Sequence, residues 1–201
     1  MSENELNTEQ LILIAARKVF THKGFDGARM QDIANEAGIN KALLHYYFRS
    51  KDKLFESIFK DVIKTFFPQI VSVLVADIPL FDKIHRFTES YIDILVKNPD
   101  IPVFVFHELS VNPHRLIGNI RETGADIGII GEQLRKEAEA GNIRPVKPEH
   151  FIANLISMCV FPFIARPVLM GIMKMDAQGF DSFIEERKQI VPDDIIRSIK
   201  V

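Results

Sequence analysis

Residues 41–48 read KALLHYYF, and four of these side chains, Lys41, His45, Tyr46 and Tyr47, can donate hydrogen bonds. Between them stand the small apolar residues Ala42 and Leu43. A lysine can reach guanine O6/N7 or a phosphate, and an exposed alanine or leucine meets a thymine methyl. Histidine and tyrosine suit phosphate oxygens, which fix register without reading sequence. Arg29 and Lys51 flank the segment and add the charge-based grip. Together these residues carry the chemistry of holding and reading double-stranded DNA.

Such a set works only if one element presents it, and residues 29–48, RMQDIANEAGINKALLHYYF, supply that element. Met30, Ile33, Ala34 and Ala37 recur at i, i+3, i+4 and i+7, an apolar stripe on one helical face. Gly38 provides the left-handed residue that ends this helix. Ile39 plugs the angle, and Asn40 has the chemistry to N-cap a second helix over 41–48. In that helix Leu44 and Phe48 lie one turn apart and face inward. The pattern is a helix-turn-helix, whose second helix enters the major groove. The competing reading of each tyrosine is a ring that fills the small core with its hydroxyl in water. His45 as a catalytic base finds no nucleophile or orienting carboxylate beside it.

Next comes RSKDK, residues 49–53, where Ser50 can cap a third helix and set Lys51 in its first turn. A cation there opposes the helix dipole, so a phosphate near the helix start is the expected reason for it. The run AGINKALLHYYFRSKDKLF resembles the signature of the tetracycline-repressor (TetR) family of bacterial regulators. Ile12, Ala15, Ala16, Val19, Phe20, Gly24 and Phe25 resemble that family's first helix, and Asp32-Ile33-Ala34 its second. The resemblance covers about the first quarter of the chain. It implies a dimeric, operator-binding protein, usually a repressor released by a small ligand. It also implies that the residues matching Lys41, Ala42, Leu43, His45, Tyr47 and Lys51 lie at or near DNA. Arg29 departs from the pattern, standing where the family more often has a serine or threonine cap.

Charge supports the same reading. The net charge is −2, yet residues 17–53 hold eight basic residues against four acidic ones, so the remainder carries −6. A basic module on an acidic body holds phosphate at one end only. The polar, acidic start MSENELNTEQ is unlike a secretory signal, and apolar runs fall short of a span of roughly 20 residues. The single cysteine, Cys159, suits a reducing compartment, so cytoplasmic residence without membrane association is expected.

The expected fold is all-α: a helix-turn-helix DNA-binding domain over residues 1–53, then a helical effector-binding and dimerisation domain over 54–201. A first helix starts at Asn7 or Thr8 and stops at Gly24; a long helix follows Ser50 until Pro68 kinks or ends it. Another runs from Pro79 to about Asn98, and residues 101–113 form a buried helix rather than a lone strand. Residues 114–140 continue helical, with Gly124, Gly128 and Gly131 marking close packing or a break. Residues 149–175 form a long apolar helix interrupted by Pro162 and Pro167. Residues 177–179 make a joint before a last helix that Pro192 breaks. The resemblance places dimerisation on the two C-terminal helices.

In the second domain, Phe104, Phe106, Met158, Phe161, Phe163 and Met170 would line a pocket for an apolar small-molecule effector. His107, Glu108, Asn112 and Arg166 would supply anchoring groups. Core packing is the competing reading for each of them. The histidines form no metal pattern, no glycine-rich phosphate loop or hydrolase motif appears, and no cofactor or enzyme activity is expected. A rival class remains: a helical small-molecule-binding or enzymatic protein whose N-terminal helices are only structural.

Overall fold

The structure, a computed structural model, describes residues 7–122, 126 and 128–201. These form helices α1 (Thr8–Gly27), α2 (Met30–Glu36), α3 (Lys41–Tyr47), α4 (Lys51–Val75), α5 (Leu80–Lys97) and α6 (Ile101–Val111). After them come α7 (Pro113–Glu122), α8 (Gly128–Glu139), α9 (Pro148–Ile164), α10 (Arg166–Met173) and α11 (Ala177–Ile199). Two compact units result. The first comprises the described residues up to 64 with 103–119; the second comprises 65–102 with the described part of 120–201.

The first unit is built on α1–α3 and the start of α4. Asn7 caps α1 through a reciprocal box, accepting from the Gln10 backbone while the Gln10 side chain accepts from Asn7. Gly24, at φ 68°, interrupts the helical path of α1 as the glycine suggested. Ile12, Ala16, Phe20, Ile33, Ala34 and Leu44 are fully buried, each large one contributing about 1.5–3 kcal/mol. Phe55 from α4 and Phe104 from α6 stack into this core, with ring centres 5.2 Å apart. The unit therefore extends beyond residue 53, because α6 and part of α7 supply side chains to the same core.

In the second unit, α5 packs on α9 and α11, with α8 against α5 and α9. Its core holds Phe87, Ile92, Phe151, Leu155, Phe180 and Val191. The end of α8 is set by Gly141 at φ 78°. Ile143 then bridges Lys200 as an isolated antiparallel pair, with the Arg144 N–H on the Ile199 carbonyl at 2.7 Å.

Neither an end at Pro68 nor the expected break at Pro192 occurs. Helix α4 runs through Pro68, and α11 runs through Pro192, itself buried. Each proline costs one backbone hydrogen bond, roughly 3 kcal/mol. Apolar anchors on either side, such as Ile184 before and Ile195 after Pro192, offset that loss. The joint before α11 also lies earlier than expected. Lys174 takes the left-handed conformation at φ 53°, and Asp176 caps the helix, accepting from the Gly179 N–H at 2.7 Å. Residues 177–179 are its first turn. The 149–175 segment divides at Ala165 rather than at Pro162, which is carried inside α9, and α9 and α10 meet at 71°. Residues 101–111 are helical rather than a strand, but the helix is not the buried one expected: Phe104 and Glu108 face inward, while Val103, Phe106, Leu109 and Val111 are exposed. The region of 114–140 holds α7, which ends at Glu122, and α8, which begins at Gly128; Gly124 lies outside the described residues. Among the described residues no single helix is long and apolar enough to cross a membrane; only the bent α9–α10 pair passes together, by length and composition.

Candidate nucleic-acid interface

Helix α3 owes its position to a few residues. The Asn40 side chain accepts from the Leu43 N–H at 2.8 Å, satisfying one of the free donors at the helix start. Gly38, at φ 67°, makes the turn that a Cβ would strain. Leu44 is fully buried and Phe48 nearly so, which pins one face of α3 to the core. Lys41, Ala42, Leu43, His45, Tyr46 and Tyr47 are all exposed. Tyr46 is 80% exposed and Tyr47 39%, their rings edge-on at 5.5 Å, so neither ring fills the core.

Two ion pairs brace α2 against α1: Lys18 to Glu36 at 2.5 Å and Lys23 to Asp32 at 3.0 Å. The hydrogen bond from Lys23 holds the Asp32 carboxyl below the usual carboxylate range. Asp32 also accepts from the Arg29 backbone N–H at 3.2 Å, supplying the cap that the guanidinium of Arg29 cannot. Part of the local basic excess is thus used internally, Lys53 pairing with Glu56 as well. Arg29, Lys41 and Arg49 are exposed and form no ion pair among the described residues. Arg49, just after α3, escaped the sequence reading as a site residue although the charge count contained it.

Lys51 sits differently from expectation. Its ammonium donates to the carbonyls of Phe25 at 2.7 Å and Ala28 at 3.2 Å, and lies 4.4 Å from the centre of the Phe25 ring. The cation that opposes the dipole of α4 caps the carbonyl end of α1.

The expected pocket residues divide between the units. In the first, Phe104 is core, and His107 packs between Phe25 and Phe55 with ring centres at 4.6 and 4.7 Å. Glu108 is completely buried and forks onto Arg115, accepting from Nε at 2.7 Å and from Nη2; this pairing raises the Arg115 pKa. Phe106 is more than half exposed. In the second unit, Met158 and Phe161 border an open cleft beside Arg187, Phe163 packs on the core, and Arg166 lies over the Phe180 ring at 4.7 Å. Among the described residues no group of three His, Cys, Asp or Glu side chains stands close enough to hold a metal ion.

The second unit instead contains an apolar cavity of about 180 Å³. Helix α4 lines it with Phe67, Ile70, Val71, Leu74 and Val75. Phe87 and Tyr91 of α5, Ile152 and Ile156 of α9, and Ile120, Asp126 and Ile130 complete it. The signal in sequence was the apolar run 70–76, one of the runs too short to span a membrane.

A capped, exposed helix at the end of a glycine turn, seated on a three-helix core with free cations at both flanks, defines a helix-turn-helix DNA-binding protein. Residues 12–58 match the family described as bacterial regulatory proteins, tetR family. The chain is 29% identical over 178 residues to the transcriptional repressor NicS of Pseudomonas putida, covering 84% of this chain and 82% of that one. It is 25% identical over 186 residues to the nucleoid occlusion factor SlmA of Mannheimia succiniciproducens, covering 88% and 84%. Its fold is similar to that of the hemolysin II transcriptional regulator HlyIIR, at TM-score 0.61 and 21% identity over 96% of this chain and 97% of that one. Residues 12–58 thus carry the helix-turn-helix of the tetR family, and over most of its length the chain is similar to transcriptional regulators. Members bind DNA operators, are usually dimers and are not enzymes, so the rival reading of the N-terminal helices as a structural cap falls.

Proposed function

We propose that the protein is a repressor that binds a palindromic double-stranded operator as a homodimer and is released by a small apolar effector. The observation that carries the DNA half of this reading is α3: one buried leucine on its core side and six exposed residues of groove-reading chemistry on the other. Lys41 contacts a base edge or phosphate, Ala42 and Leu43 contact thymine methyls, and His45, Tyr46 and Tyr47 contact the backbone. Arg29 and Arg49 add phosphate contacts from the flanks. Lys51 acts chiefly through the carbonyls it holds, fixing the start of α4. Half-sites fall about one helical turn, ~34–36 Å, apart or at a comparable spacing.

Exposed apolar side chains support the dimer. Phe161 and Ile164 at the end of α9, and Val168, Ile172 and Met173 on α10, are 40–71% exposed. A second copy of the chain would cover them. The effector occupies the cavity of the second unit and favours one of two subunit arrangements, lowering operator affinity through a two-state equilibrium. A regulator of this kind works beside the chromosome, in the bacterial cytoplasm.

Fluorescence anisotropy on DNA from upstream of the gene, against scrambled DNA and across salt, tests the reading. Specific binding with a steep salt dependence is expected. Equal affinity for both DNAs, confirmed by a genome-wide selection that enriches no fragment, would overturn it.

A further inference from the structure

The cavity of the second unit also constrains what can enter it, an argument that rests on the effector reading above. Its volume of about 180 Å³ is only slightly above that of an apolar protein cavity of ~150 Å³ that accepts benzene. One six-membered ring with a short substituent fills such a space. The walls are branched aliphatics and two phenylalanines, Phe67 and Phe87, which favour a flat or compact apolar body.

Among the described lining residues, two side chains are polar. Tyr91 lines the cavity, and its hydroxyl forms no hydrogen bond among the described residues. Burial pushes the phenol up, so it stays a neutral O–H that can donate or accept. Asp126, itself exposed, supplies the other polar group. Its Oδ1 accepts from the Gly128 N–H at 2.8 Å, and the carboxylate retains further acceptor capacity. Among the described residues no lysine, arginine or histidine lines the cavity. A carboxylate or phosphate ligand would therefore enter an apolar space without a counter-ion and beside a like charge, which opposes binding.

We infer that the cavity binds a single-ring molecule carrying a hydroxyl or a protonated amine, with Tyr91 meeting the polar group of the first and Asp126 that of the second, and that it rejects organic acids of the same size.

Benzyl alcohol, benzylamine and benzoate share one ring and one short substituent, and differ in charge. Isothermal titration of the full-length protein with each is the test. The alcohol and the amine are expected to bind and benzoate at least tenfold more weakly. Tyr91→Phe should weaken the alcohol about tenfold, while Asp126→Asn should weaken only the amine. Leu74→Phe, which fills the cavity, should abolish both; Val71→Phe serves if the first variant melts below the working temperature. Benzoate binding as tightly as the alcohol, or no binding of any probe by the folded wild-type protein, would overturn the assignment. Operator anisotropy with the same probes separates the two readings. A probe that binds without releasing DNA leaves the ligand class intact and removes the effector role, and a protein that binds no operator removes the repressor reading alone.

Discussion

The Lys51 ammonium lies 2.7 Å from the carbonyl oxygen of Phe25 and closes the end of α1 from the first turn of α4. A lysine at a helix start costs that helix a few tenths of a kcal/mol to about 1 kcal/mol, and here the carbonyls of Phe25 and Ala28 offset the cost. Lys51→Met keeps the aliphatic stem beside the Phe25 ring and removes the charge. We expect a loss of about 1.5–3 kcal/mol in urea unfolding, the range for a hydrogen bond from a charged group. The salt slope of operator binding should stay near the wild-type value. A slope lower by about one would mean that Lys51 holds a phosphate directly.

Arg49 and Arg29 make the contrasting case, since both are exposed and without an ion pair among the described residues. Replacing either by alanine should leave the melting curve within about 0.5 kcal/mol of wild type, as surface substitutions do. Each should weaken binding to every DNA sequence alike and lower the salt slope by about one. Anisotropy at four or five salt concentrations reads that slope, and an unchanged value would remove the residue from the interface.

Lys41 stands at the first helical position of α3 with its side chain exposed, and the proposed reading assigns it a base contact. Lys41→Ala should change which base is preferred at one position of each half-site, by about 1–3 kcal/mol. Binding to a panel of single-base operator variants measures this. Uniform loss over the whole panel would make Lys41 a backbone contact instead.

The Glu108–Arg115 fork concerns stability rather than recognition. Glu108 is fully buried, while Arg115 reaches partly into solvent. Arg115→Ala would strand a carboxylate in the core of the first unit, at a cost of about 3–5 kcal/mol. Adding Glu108→Leu should recover most of it, because the pair then leaves no unpaired charge. A double-mutant cycle by chemical denaturation gives the answer, and additive losses would show that the two side chains do not depend on each other.

How much of this was legible in the sequence follows from which interactions are local. Asn40, Gly38 and Leu44 act within one turn of where they stand, so cap, turn and inward face could all be read from spacing. Lys51 bonds to carbonyls 26 and 23 residues earlier, which no window around position 51 contains. Phe104 shows the same limit, since composition does not distinguish a ring that stacks on Phe55 from one that lines a cavity. A helix end at Pro68 and a break at Pro192 were read from local propensity, and tertiary packing outweighed both. The cavity arises where α4, α5, α8 and α9 face one another, and each contributes side chains that look like ordinary core.

Cys159 tests the second unit independently of any ligand. Burial among α5, α9 and α11 pushes its thiol up to about 12 from the ordinary 9.0. The folded state thus holds this proton over a range where the unfolded chain has released it. Stability from this group is complete below pH ~9 and falls as pH rises through ~12, because the unfolded state then binds fewer protons. Urea unfolding from pH 7.5 to 11 should show that decline, and Cys159→Ala should flatten it at the cost of a small cavity. At pH 8 a thiol reagent should label the native protein only as fast as the second unit opens, since the thiolate is the reactive species and the folded site suppresses it. Labelling at the rate of a free cysteine under native conditions would place Cys159 at the surface and contradict the packing of α9 on α5 and α11.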